Sequence, residues 1–589
     1  MCGIFGYIGK KDAAKTVTEG LKRLEYRGYD SWGIAVAHKN KIDVVKQVGA
    51  IGEVVKDNVF PKSYIGVGHT RWATHGGVTE INAHPHFSTN KDFVVAQNGI
   101  VENYQTLKEN LIKKGYKFIS QTDTEVIVRL IEDKYRKNKD LHKAVREAFL
   151  ELKGRNTIIL LSNKGDRMIG VRNGSPLVLG IGKEEYFFAS DTLSFADKTK
   201  KVVFVDNNQM LDFKQGKVDL YEITSDKKLR FKPTYLNQGT IEINKEGYAH
   251  YMLKEIIEQK FTIGEATNYS EKELAPLVKA IKKADVVYTV GAGTASYVAG
   301  MIAYFLRKHA GIKAIELKAY EVGSYFELFS KKDVIIAVSQ SGETADTIEA
   351  LEFAKSKGVK IASIVNMMGS TVTRMSDYPY LSRSGPEICV VSTKAVTAQA
   401  AWGLLLAMTA AGKYQSVKKT LARVCVYLTD FFSEPLFKEL KRLAKKLLKK
   451  EHMFVLGREQ NYYATLEAGL KFKETAYKHA EGFAAGELKH GVIALIEKQT
   501  PVFAIVSNDH SKQDMLSAIA EVKARGATTI AIAKERNQLY DEFIKVEDMG
   551  VADPIVNVIP FQLLAYFLAV ELGNTPDRPR NLAKSVTVK

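Results

Sequence analysis

Two stretches in the second half of the chain share one grammar, and that repeat constrains the fold more than any other feature. Residues 285–365 and 451–533 each run apolar strand, loop, helix, apolar strand, in the same order. Tyr288-Thr289-Val290-Gly291 matches Phe454-Val455-Leu456-Gly457, and Ile336-Ala337-Val338-Ser339 matches Ala504-Ile505-Val506-Ser507. Nineteen residues after each serine a glycine, Gly358 or Gly526, closes a helix before the next apolar run. Strands alternating with helices predict parallel sheets with helices on both faces, and two copies predict two doubly wound subdomains. The chain has 589 residues, so a further domain precedes the repeat.

The strand ends carry the chemistry. In the first copy Ser339-Gln340-Ser341-Gly342-Glu343-Thr344 leads into a helix. Hydroxyls, a glycine and free helix N–H groups suit a phosphate there; a plain capped helix start is the alternative. The second copy has Ser507-Asn508-Asp509-His510-Ser511-Lys512, where Asp509 would repel an anion, so that site is expected to be lost. Gly291-Ala292-Gly293-Thr294-Ala295-Ser296 is a second loop of this kind and a weak nucleotide signal, with no acidic residue at the distance a ribose needs.

Ahead of the repeat, residues 1–240 mix sheets and helices without βαβ order. Strands are predicted at Ile4–Ile8, from Ile65 toward Gly76, at Phe93–Ala96, Thr157–Leu161 and Tyr186–Ala189. Helices are predicted at Ala13–Leu24 and Tyr104–Lys114, with a polar turn over Glu25–Ser31. Cys2 is the notable residue. Once Met1 is trimmed, it carries both a thiol and an α-amino group that can serve as its base. Arg71 can grip a carboxylate, Asn98-Gly99 can face an oxyanion, and Asp123 can hold an ammonium group. Together these suggest hydrolysis of an amino-acid amide. Singly, Arg71 reads as a surface ion pair, Asn98-Gly99 as a hairpin turn and Asp123 as a helix N-cap. His69, His75, His84 and His86 fit no usual zinc spacing, and no metal is expected.

Six segments of this region, in order, resemble the class II glutamine amidotransferase family. They are Cys2-Gly3-Ile4, Arg27 to Ser31, His69 to Gly76, Asn82 to His86, Asn98-Gly99-Ile100 and Thr122 to Glu125. The resemblance implies an N-terminal-nucleophile αββα fold with Cys2 as nucleophile and Asn98 and Gly99 as oxyanion hole. It also implies Arg71, Thr74, His75 and Asp123 around glutamine, with Trp72 gating ammonia. Gln97 stands where that family commonly has His, and Trp32 where it has a small residue.

The repeat resembles tandem sugar isomerase (SIS) domains, and the full chain is similar to the glutamine–fructose-6-phosphate aminotransferase family. Further support comes from Val391 to Ala395, Glu481 to Gly491 and the tail from Asp577 to Lys589. At helical spacing Glu467, Lys471, Glu474 and Lys478 share one face, which reads either as a surface row of ion pairs or as a proton-shuttling site. The resemblance implies Glu474 as the base, Lys471 beside it, His490 opening the sugar ring from a neighbouring subunit, and Lys584 as the Schiff-base lysine. Thr294, Ser339, Gln340, Ser341, Thr344, Val390 and Ser392 would bind the sugar phosphate. Ala292 and Cys389 depart from the family pattern.

The expected domains are an amidotransferase domain at 1–240, sugar isomerase subdomains at 241–412 and 413–574, and an active-site loop at 575–589. Glutamine and fructose 6-phosphate are the expected substrates and glucosamine 6-phosphate the product, with no organic cofactor. The net charge of +18 is scattered rather than run together, so nucleic acid is not the expected partner. Only Cys2, Cys389 and Cys425 are cysteines, which suggests a reducing, cytoplasmic setting. The apolar runs Ala395–Gly412 and Pro554–Leu572 carry polar residues and read as core helices, not membrane spans. Two rivals are a sugar isomerase-type deglycase and a phosphosugar sensor with a silent glutaminase.

Overall fold

The computed structural model describes residues 2–52, 60–236 and 244–587. The chain divides into two compact units, Met1–Ile243 with Ala583–Lys589, and Asn244–Leu582.

The first unit holds two antiparallel sheets. In the eight-stranded sheet, Gly3–Ile8 lies between Tyr186–Ala189 and Ile65–Arg71, and Ser31–His38 flanks the latter. In the seven-stranded sheet, Phe93–Gly99 pairs with Asn156–Ser162 along its whole length. Side chains alternate between faces along every strand. Ile4 and Ile8 fill the layer between the sheets with Val67, Val94, Ala96, Ile159 and Leu161. Phe5 and Tyr7 point the other way, onto Ala13, Val17 and Leu21 of the helix Ala13–Leu24. Phe93, Val95, Ile158 and Leu160 pack against Val126, Ile127 and Ala144, from the helices Thr124–Asn138 and Leu141–Glu151. The layers therefore run helix, sheet, sheet, helix, and each large apolar side chain they bury is worth about 1.5–3 kcal/mol.

The second unit holds two five-stranded parallel sheets. One is ordered Ala314–Lys318, Val287–Gly291, Val334–Ser339, Lys360–Val365, Tyr378–Leu381. The other is ordered His479–Ala484, His452–Gly457, Pro501–Val506, Thr528–Ala533, Glu542–Lys545. In both, the strand that comes first in sequence lies second in space, so the chain runs to one edge and then returns past its start. That reversal opens a crevice at the carboxyl ends of the first and third strands. The helix Lys394–Ala410 is buried along its whole length. One stretch among the described residues, Gly550–Glu571, is long and apolar enough to cross a membrane, and it is 94% buried inside the fold.

One ion-pair cluster ties the second sheet of the first unit to its helices. His142 Nδ1 lies 2.7 Å from Asp212 and Nε2 lies 2.8 Å from Asp226. With a carboxylate on each nitrogen, the ring is held as an imidazolium. Asp212 first, and then Asp226, raise its pKa against the effect of burial. A raised histidine stabilises fully below its unfolded value of about 6.5, and the contribution fades as pH rises through the folded value. His142→Gln should therefore lower the melting temperature most near pH 6 and progressively less toward pH 9; a deficit independent of pH would contradict this.

Candidate active site

Strand alternation decides what meets in the first unit. Ile65, Val67, His69 and Arg71 share one face of their strand, and Val94, Ala96 and Asn98 share one face of theirs. The apolar members of both rows fill the layer between the sheets. Cys2 has the same parity as Ile4. Polar residues thus take over where the apolar filling of that layer ends.

The Cys2 Sγ accepts a hydrogen bond from the Trp72 N–H at 3.3 Å and lies 3.6 Å from the Trp72 carbonyl. Burial pushes the thiol pKa up, which the Trp72 amide and the Arg71 guanidinium only partly offset. Arg27 Nε donates to the Cys2 carbonyl at 3.3 Å, and its guanidinium pairs with Asp191, which also accepts from the Tyr26 hydroxyl at 2.5 Å. The polar turn over Glu25–Ser31 is therefore packed into the fold. It contains a short 3-10 turn, Glu25–Arg27, and Glu25, Arg27 and Ser31 are buried.

Arg71 is not a surface ion pair. It is buried and donates to the carbonyls of His75, of Gly76 at 3.2 Å and of Gly77 at 3.0 Å, shaping the loop that carries Trp72, Thr74 and His75. Asp30 anchors the same loop by accepting from the Ala73 N–H at 2.8 Å. Asp123 stands at the N-cap position of Thr124–Asn138 but makes no side-chain cap bond there. Its Oδ2 instead accepts from the Val101 N–H at 2.8 Å, and burial raises its pKa.

Asn98-Gly99 is no hairpin, since both residues stay paired in the sheet, with Thr157 and Asn156. Gly99 has φ +134, and a Cβ there would come within 2.0 Å of the Arg155 carbonyl oxygen, so only glycine fits. The Asn98 Nδ2 is buried and has no hydrogen-bond partner among the described residues, while its Oδ1 lies 3.1 Å from His69 Nε2. Behind it the rings of His69, His84 and His86 follow one another, with centroids 4.2 and 5.1 Å apart. His84 and His86 each meet a threonine hydroxyl, Thr124 or Thr122, at 3.0 Å. Burial drives all three imidazoles down, His69 to about 3, so they are neutral. Gln97 joins this network by donating to Asn156 at 2.7 Å and accepting from Thr124. Trp32 is fully buried in the core against the first helix.

In the second unit, the Ser339–Thr344 loop opens onto the crevice of the first parallel sheet. Ser339 Oγ accepts from the Gly342 N–H at 2.9 Å and Ser341 Oγ from the Glu343 N–H at 3.1 Å. Gln340 is half-buried between them. Thr344 precedes the helix Ala345–Ser356 without a side-chain cap bond. In the second sheet the corresponding loop is closed on itself. Asp509 accepts from the Ser511 N–H at 2.9 Å and from Gln460 at 3.0 Å.

Beside the first crevice, Lys471 is fully buried, 3.0 Å from Glu467 and 2.6 Å from Glu474. Its Nζ also donates to Thr294 Oγ1 at 3.1 Å and to the Ser392 carbonyl at 3.2 Å. Burial works against the ammonium, but the two carboxylates outweigh it and raise the Lys471 pKa. Burial lifts Glu467 to about 7, since Lys471 only partly offsets it and the neighbouring Glu474 charge adds to it. The row of four is thus not a surface row, and Lys478 is not part of it. The helix Tyr462–Lys471 gives way to a π turn, Phe472–Ala476, and Tyr477 is left-handed at φ 55. Lys478 consequently swings to Glu451 at 2.8 Å. Glu467 shares the Lys471 ammonium with Glu474, as its four-residue spacing from Lys471 allows.

Ser392 Oγ donates to Glu387 at 3.0 Å, and the Val390 N–H donates to the Asp577 carbonyl at 3.1 Å. Cys389 Sγ lies 3.5 Å from the Pro576 carbonyl. His490 ends the turn Ala485–His490; it is exposed and has no hydrogen-bond partner among the described residues. Lys584 lies in the segment Ala583–Lys589 that groups with the first unit, where Thr587 and Ser175 hydroxyls are 3.3 Å apart.

The glutamine amidotransferase domain model matches residues 69–197, and the SIS domain model matches residues 280–409 and 446–572. The glutamine–fructose-6-phosphate aminotransferase [isomerizing] of Pyrococcus horikoshii is 41% identical over 605 residues, covering all of both chains. That of Aquifex aeolicus is 40% identical, again over the full length of both. Among solved structures, the C-terminal domain of glucosamine-fructose-6-phosphate aminotransferase from Francisella tularensis aligns with a TM-score of 0.54 at 30% identity, covering 57% of this chain and all of that one. Full-length identity of this order, over a chain with both domain types, means that this chain belongs to the glutamine–fructose-6-phosphate aminotransferase (isomerizing) family.

Proposed function

We propose that the chain converts fructose 6-phosphate and glutamine into glucosamine 6-phosphate and glutamate. The observation that carries this is the full-length relation to curated aminotransferases of both substrates. Cys2, freed of Met1 and with its own α-amine as base, attacks the glutamine side-chain carbonyl. The negative oxygen takes hydrogen bonds from the Asn98 amide and the Gly99 N–H, a role the unpaired Asn98 Nδ2 supports. Collapse expels ammonia, and water then releases glutamate from the thioester. Arg71 and Asp123 grip the carboxylate and ammonium of glutamine, and the Trp72–His75 loop covers it while Trp72 passes ammonia inward.

The sugar phosphate is held by Ser339, Gln340, Ser341 and Thr344, with Thr294, Val390 and Ser392 on its hydroxyls. His490 opens the ring; its exposure and lack of a partner support donation across a homodimer. Lys584 condenses with the C2 carbonyl, losing water, and ammonia then displaces the lysine. Glu474 moves a proton between C2 and C1, with Lys471 holding the carboxylate charge. Three cysteines with no disulfide among the described residues support a cytoplasmic setting. A deglycase or a silent sensor would have no use for the whole glutaminase site.

Glutamate and glucosamine 6-phosphate are the readouts. Cys2→Ala should lose both products with glutamine as donor. Lys584→Ala should lose the aminated sugar. A parent protein that releases glutamate but never aminates the sugar would overturn the assignment. Lys471→Met leaves the fully buried Glu467 carboxylate without its cation beside the partly buried Glu474 and should cost about 3–5 kcal/mol of stability in urea unfolding. Adding Glu467→Gln should recover part of that loss; a double variant no more stable than the single would contradict the charge argument.

A further inference from the structure

We infer that His69 is a positioning residue of the glutaminase site: its Nε2–H fixes the Asn98 amide so that the NH2 group stays free for the oxyanion. This rests on Asn98 serving the oxyanion hole, as proposed above.

The hydrogen bonds define the orientation. His69 Nε2 lies 2.8 Å from the Gln97 carbonyl oxygen and 3.1 Å from Asn98 Oδ1. A carbonyl can only accept, so Nε2 carries the proton and is shared between the two oxygens. An Asn98 amide turned over would set its NH2 against that N–H, donor facing donor. His69 Nδ1 is buried without a partner among the described residues, so a second proton on the ring would be an unpaired buried donor.

The ring itself is clamped. His84 lies against it at 4.2 Å, and Gln97 and Thr124 engage His84 from both sides. Thr124 donates to Gln97 Oε1, so its oxygen accepts from the His84 Nε2–H. Meanwhile sheet pairing with Thr157 already holds the Asn98 backbone. What the strand leaves undetermined is the rotation of the amide group, and His69 supplies that one constraint.

The test is a double-mutant cycle on glutamate release. His69→Phe keeps a ring against His84 but has no donor; His69→Gln keeps a side-chain N–H. Loss of one oxyanion donor costs about 10²–10³ in kcat, so Asn98→Ala should fall by that factor. His69→Phe should lower kcat about tenfold or more, with the KM for glutamine changed less than about twofold. His69→Gln should recover most of the loss. In the Asn98→Ala background, His69→Phe should add little. Equal losses in both backgrounds, or a rise in KM with kcat unchanged, would overturn the inference and leave the oxyanion hole standing. If Asn98→Ala itself kept full kcat, the oxyanion assignment would fall first. Should His69→Phe not fold, His69→Leu carries the same comparison.

Discussion

The first unit depends on the two-residue alternation of antiparallel strands. With two sheets stacked face to face, every second side chain is committed to a water-free layer. Ile65, Val67, Val94 and Ala96 fill that layer. The next positions of the same rows are His69, Arg71 and Asn98, so polar groups converge where the apolar packing stops. Burial then governs their chemistry: it makes the histidines neutral, raises the Cys2 thiol and sends the Arg71 donors to the loop carbonyls. Asn98 is left with an amide donor that no described residue satisfies.

In the second unit the same issue is met with charge. Lys471 lies between the fully buried Glu467 and the partly buried Glu474, two carboxylates sharing one ammonium. The geometry is close: Glu474, on the π turn Phe472–Ala476, lies 2.6 Å from the ammonium. The duplicate sheet shows the contrast. There Asp509 accepts from the Ser511 N–H, where the first loop has Ser339 Oγ accepting from the Gly342 N–H.

Much of this was legible in the sequence. Continuous apolar runs gave the parallel strands, and the glycine spacing gave the repeat. The helix Ala13–Leu24 has the bounds that its periodicity predicts. Burial of polar residues was harder to read. Arg27 and Glu25 look like turn residues, because nothing local reveals that Arg27 reaches back to the Cys2 carbonyl. Asp123 occupies a cap position, yet its carboxylate is taken by the Val101 amide, a contact set by tertiary packing. Lys478 fits helical spacing, but the π turn Phe472–Ala476 and the left-handed Tyr477 carry it to Glu451, a break that the residue pattern does not announce.

The central claim is that nitrogen freed at Cys2 ends on the sugar without mixing with the surroundings. The most direct measurement supplies fructose 6-phosphate, glutamine with a heavy-nitrogen side-chain amide, and an excess of unlabelled ammonium. The account predicts glucosamine 6-phosphate carrying the glutamine label undiluted. Product bearing bulk nitrogen, or glutamate formed with no aminated sugar, would contradict it.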